Sequence, residues 1–121
     1  PMPEEDITYR IIGAAMNVHN ELGPGLREKP YENALKFALK DLRYHVDQQR
    51  AYPIYYQTHV VGDCITDLVI ENELIIEVKS IESIGDNEIA QLLNYLRISN
   101  LKLGLILNFK PSKLEIKRVS R

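Results

Sequence analysis

The chain has 121 residues, 45% hydrophobic and 26% charged, with a net charge of −2, as expected of one ordinary globular domain that needs no disulfide or metal staple. Its single cysteine, Cys64, excludes an internal disulfide and points to a reducing, cytoplasmic compartment. No stretch is long and apolar enough to span a membrane, the acidic opening Pro1-Met2-Pro3-Glu4-Glu5-Asp6 is unlike a signal peptide, and the slight negative charge argues against a generic nucleic-acid binder.

Ile7, Ile11, Ile12, Ala15, Val18 and Leu22 recur at helical spacing and predict a first helix from about Ile7 to Leu22, capped by Asp6 and stopped by Gly23-Pro24-Gly25. Tyr31, Leu35, Ala38, Leu39 and Leu42 give a second amphipathic helix with Pro30 in its first turn. Glu28 then falls at or just before the helix start, where the dipole favours a negative charge. From His45 to Val61 the pattern is extended, with Pro53 marking an edge or an irregularity, and Gly62-Asp63 reads as a turn. The edge at His45 to Tyr56 is one at which a second copy could pair.

Next comes a hairpin, Ile65 to Ile70 and Leu74 to Lys79, apolar on both faces apart from three positions, so it belongs in the middle of a helix-covered sheet. A helix from about Asn87 to Ser99 and strands Leu103 to Phe109 and Leu114 to Val119 complete an α/β chain. Residues 101 to 121 carry Lys102, Lys110, Lys113, Lys117, Arg118 and Arg121 against Glu115 alone. That is either a basic edge beside an acidic pocket or a solvated charged tail.

The three charged hairpin positions carry the chemistry. With the turn centred on Asn72, Asp67 lies opposite Glu77, and the two-residue strand period puts Lys79 on the Glu77 face. Opposed carboxylates in apolar surroundings repel, and a bound cation relieves them. Oxygen ligands of this kind suit Mg²⁺ or Mn²⁺, while the lysine can orient or deprotonate water or steady charge developing on phosphate. The ordinary alternative is a buried ion pair in which Lys79 satisfies one acid and leaves the other unpaired.

This D-x9-E-x-K arrangement resembles the core of the PD-(D/E)XK nuclease superfamily. Gly25-x-x-Glu28-x-x-Tyr31 upstream and Ala90-Gln91-Leu92-Leu93-Asn94-Tyr95-Leu96 downstream extend the likeness to the small GxxExxY proteins, in the same order, from about Ile7 to about Arg118. The resemblance implies a restriction-endonuclease-like core, a central mixed β-sheet flanked by helices. It also implies a metal held by Asp67 and Glu77, water assisted by Lys79, and Glu28 and Gln91 completing the site. Tyr31 and Tyr95 read as packing residues of their helices. The chain departs from typical members at Ile65 and Cys64, where those carry an arginine and an aromatic, and at Lys29-Pro30.

His19, His45 and His59 make no zinc spacing, and Cys64 has no partner in the sequence to activate it. Two classes of function follow: a Mg²⁺- or Mn²⁺-dependent phosphodiesterase acting on DNA or RNA, and a binding or assembly module that keeps the nuclease-like fold without hydrolysis. No base-reading element is recognisable, so sequence specificity would need a dimer or a partner.

Overall fold

The computed structural model describes residues 4–121, with side chains from Ile7 onward, so Pro1 to Pro3 and the side chains of Glu4 to Asp6 lie outside the description. Helices α1 (Glu4–Leu22) and α2 (Glu28–Asp41) precede strands β1 (Val46–Tyr56), β2 (His59–Ile70) and β3 (Leu74–Lys79). Helix α3 (Asp86–Ser99) and strands β4 (Leu103–Asn108) and β5 (Glu115–Ser120) follow. Because α1 begins at Glu4, Asp6 stands inside the helix and not at its cap.

The five strands lie in sequence order, antiparallel except for the parallel pair β3–β4, which α3 connects. The expected mixed sheet between helices is what forms. Ile7, Ile11, Val18, Tyr31, Leu35 and Leu39 cover one face, against Leu68, Ile76, Leu105 and Leu107. On the other face, Leu92 and Leu96 of α3 meet Val69, Ile75 and Ile106. The central strand β3 is buried from Leu74 to Val78, which explains its unbroken apolar run. Gly104 is required here because a Cβ would stand 2.8 Å from Cδ2 of Leu92, so α3 and β4 meet at glycine contact.

Gly23, at φ 74°, ends α1, and its N–H donates back to His19 O at 2.8 Å. The Gly23–Leu26 segment is then fixed from three sides. Tyr31 is fully buried and its ring stacks on Phe109 with centroids 4.6 Å apart. Its hydroxyl donates to Gly23 O and accepts from Leu26 N at 3.2 Å, while Ser80 Oγ donates to Leu26 O at 2.8 Å. His19, itself buried, places Nε2 2.9 Å from Pro111 O and 3.1 Å from Phe109 O. The motif tyrosine is thus a packing residue with a satisfied hydroxyl, as its helical position implied.

A second expectation fails. Gly62-Asp63 is not a turn but lies within β2, paired with Ile54 and Pro53, and the chain reverses at Gln57-Thr58 instead. Gln57 enters the left-handed region at φ 54°, which neither residue type announces in sequence. Gly62 adjoins a register shift between Ile54 and Tyr55, the irregularity that a glycine inside a strand often marks.

Candidate active site

The Asn72-centred turn holds: Glu71 and Asn72 take φ 55° and 57°, and Leu68 pairs with Ile76, Val69 with Ile75 and Ile70 with Leu74. Continuing that register sets Asp67 opposite Glu77. At that position the backbone ladder stops and the two carboxylates take its place. Glu77 Oε2 accepts the Asp67 N–H at 2.9 Å, and Asp67 Oδ2 accepts the Val78 N–H at 2.8 Å. Each acid is therefore tied to the other's strand.

The neighbouring strand bends at the same level. Gln49, at φ 55°, drops out of the β1–β2 ladder between the pairs Gln48↔Leu68 and Arg50↔Thr66. The phase of β1 reverses across it. Val46 packs against the α1/α2 core and Tyr52 against the α3 core, although an even spacing would place both on one face. A left-handed glutamine costs on the order of 1 kcal/mol and is kept only where surroundings demand it. Here it lets two successive glutamines reach one carboxylate: Gln48 Nε2 lies 2.6 Å and Gln49 Nε2 2.9 Å from Glu32 Oε2. Gln49 also reaches Asp67 Oδ1, at 3.4 Å.

Burial pushes the Glu77 carboxyl up to about 8, with repulsion from Asp67 next in size and outweighing its hydrogen bond and the Lys79 charge. Burial likewise holds Asp67 above the usual carboxylate range, with Glu32 adding to the rise. Lys79 does not rescue either acid. Among the described residues no ion pair includes Asp67, Glu77 or Lys79, and the Lys79 ammonium donates to Gln91 Oε1 at 3.4 Å. The buried ion-pair alternative is not the arrangement formed.

The site fits a hard divalent ion by its donor set. The oxygens not engaged by backbone, Oδ1 of Asp67 and Oε1 of Glu77, have among the described residues only the long Gln49 hydrogen bond to Asp67 Oδ1 between them. Among the described residues no group of three or more His, Cys, Asp or Glu is placed to hold a metal. An ion would therefore draw on these two carboxylates and on water, the ligation that Mg²⁺ commonly takes.

Asp67 also borders an open cleft of about 670 Å³ whose walls include Glu28, Glu32, Gln49 and Ser80, with Arg27, Lys29 and Lys110 as its cations. Glu28 is exposed on this wall, at the first residue of α2, and makes no hydrogen bond to Asp67 or Glu77. Gln91 approaches from α3 and, among the described residues, its side chain is hydrogen-bonded to Lys79 and to neither acid. Of the six carboxy-terminal cations, Lys110 alone lines the cleft.

Glu32 was not singled out in the sequence, although it is 2% exposed, accepts from Lys29, Gln48 and Gln49, and acts electrostatically on both hairpin acids. The signal was there: Glu32 lies on the helical stripe with Leu35 and Leu39, so an acid faces the interior. Tyr95 and Cys64 sit within the same field, both pushed up first by burial and second by Glu77. Burial pushes the Cys64 thiol above its ordinary value, which disfavours the thiolate.

The crystal structure of SSO0001 shares the fold at a TM-score of 0.58 and 18% identity, covering 74% of this chain and 48% of that one, so this chain spans about half its length. No curated protein matches the sequence. The family model of the PD-(D/E)XK nuclease superfamily matches residues 5–119. With that match over nearly the whole chain, on a mixed sheet whose central hairpin opposes two acids beside a lysine, the chain belongs to the PD-(D/E)XK nuclease superfamily.

Proposed function

We infer that this chain is a Mg²⁺- or Mn²⁺-dependent nuclease of the GxxExxY type, hydrolysing phosphodiester bonds of DNA or RNA. The observation that carries the reading is the pair of interlocked carboxylates at half-buried Asp67 and buried Glu77 that, among the described residues, form no ion pair with a cation of the protein. A divalent ion bound there would neutralise the pair and act as a Lewis acid toward phosphate.

The remaining work falls to side chains. Lys79, hydrogen-bonded to Gln91, forms no ion pair with either acid among the described residues, so its ammonium can hold a water or meet negative charge developing on phosphate. Glu28 stands on the cleft wall, where it can receive a proton or order water at the entrance. Glu32 and Gln49 orient Asp67 from behind. Arg27, Lys29 and Lys110 line the cleft beside Glu28, Glu32 and Asp67, with Lys29 paired to Glu32 and Lys110 to Glu82, so contact with the nucleic-acid backbone falls first to Arg27 and base recognition has no support.

Plasmid nicking in Mn²⁺ tests this. Wild-type protein is expected to nick, and Lys79→Ala to lose about 100-fold or more of the rate. Nicking that survives Lys79→Ala unchanged would remove the mechanism. Metal binding without any nicking would favour the non-catalytic binding or assembly module.

A further inference from the structure

The far part of the β1–β2 hairpin belongs to neither core. β2 pairs with β3 only over Leu68–Ile70 but with β1 out to Tyr56↔His59, so beyond Tyr52 and Cys64 the hairpin stands out as a two-stranded arm. Among the described residues, no backbone hydrogen bond joins residues 59–65 to any element except β1. The side of β2 turned away from β1 therefore carries open N–H and C=O groups.

The arm is also apolar. Tyr55, Tyr56, Val60, Val61 and, at its base, Ile65 are all 50–63% exposed. An isolated two-stranded ribbon is marginal in water, and an open edge that carries one charge, Asp63, over residues 59–65 is a template for another strand. The outer edge of β1, the one its sequence recommended, is the poorer template. Pro53 lacks a donor there and the register shifts at Ile54/Tyr55.

We propose that the free edge of β2 is a self-association surface, pairing antiparallel with the same edge of a second copy across a two-fold axis at Val61. Nucleic acid is a poor occupant, because no lysine or arginine occurs from Ala51 to Thr66. A second copy is a good one. Pairing centred on Val61 sets His59 of each chain opposite Asp63 of the other, and one isologous strand serves both partners. Val60, Val61 and Ile65 stand on β2 itself, so their exposed side chains come to lie beside those of the partner strand on the two faces of the joined ribbon. The main-chain hydrogen bonds of the new strand pair supply the rest of the contact, as in other strand-addition interfaces. The same register lays the partner's Gln57–Thr58 turn alongside Ile65 and Cys64, next to Asp67 in the chain. The dimer does not depend on nuclease activity.

Sedimentation equilibrium of the full chain over a concentration series tests the surface. The apparent mass of the wild type is expected to rise from 14.0 kDa toward twice that value, while Val61→Lys stays at 14.0 kDa with an unchanged far-ultraviolet CD spectrum. A wild type that remains at 14.0 kDa throughout overturns the proposal, as does a folded Val61→Lys that doubles like the wild type. If Val61→Lys fails to fold, Val61→Cys decides: oxidation is expected to give a reducible covalent dimer, and a monomer under conditions where the wild type dimerises refutes the register.

Discussion

Removing the charge at Glu77 should stabilise the metal-free protein at mildly alkaline pH and flatten its pH dependence. The Glu77 carboxyl is raised from an ordinary 4.5 to about 8, and the residue is 6% exposed, so little solvent screening applies. A carboxyl whose folded pKa lies above its unfolded one favours folding below the unfolded value. That contribution is lost as pH climbs through the folded value, because the unfolded chain then ionises freely and the folded one cannot. At about 1.36 kcal/mol per pKa unit, wild-type stability should fall by on the order of 3 kcal/mol between about pH 5 and about pH 8, with Asp67 acting in the same direction. For a domain of this size that is a drop of roughly 10 °C in Tm. Glu77→Gln keeps an amide oxygen to accept the Asp67 N–H and carries no charge, so most of the drop should vanish. Thermal unfolding followed by CD, in chelator, across that range is the assay. Equal pH slopes for wild type and Glu77→Gln, or a wild type more stable at pH 8 than at pH 5, would refute the reasoning.

Calorimetric titration with Mn²⁺ should show one binding event for the wild type and none for Asp67→Asn, whereas Lys79→Ala should bind the ion normally. Glu32→Ala leaves Gln48 and Gln49 amides short of their acceptor and should cost about 2–3 kcal/mol by urea denaturation. Tyr31→Phe keeps the stack on Phe109 but frees Gly23 O and Leu26 N, so about 1 kcal/mol of stability should go while nicking chemistry at saturating DNA persists. Gly104→Ala forces a methyl group against Leu92 and should cost about 1–3 kcal/mol, visible as a lowered denaturation midpoint.

The hairpin was legible in the sequence because its information is local. Asn72 tolerates the left-handed turn, and the apolar runs on either side permit one register, which sets Asp67 opposite Glu77. The layering of helices over the sheet followed from the same periodicities. The arm was not legible, since Gly62-Asp63 has turn composition and Gln57-Thr58 does not, yet the longer ladder wins over local preference. Nor could the strand pattern foresee Gln49, whose left-handed backbone serves a carboxylate on a distant helix. Glu32 was readable from its helical stripe, but the motif glutamate four residues earlier drew the site assignment. The structure leaves Glu28 on the cleft wall and buries Glu32 behind Asp67. Whether Lys79 would join an acid was undecidable from spacing alone, and its contact with Gln91 depends on how closely α3 packs.

Crystals grown or soaked with Mn²⁺ and measured for anomalous scattering test the central claim most directly. The account expects one anomalous peak between the residue 67 and residue 77 carboxylates, at about 2.0–2.2 Å from an oxygen of each, and its disappearance in Asp67→Asn. Clear maps with no peak there at millimolar Mn²⁺, or a peak held by other residues, would contradict it.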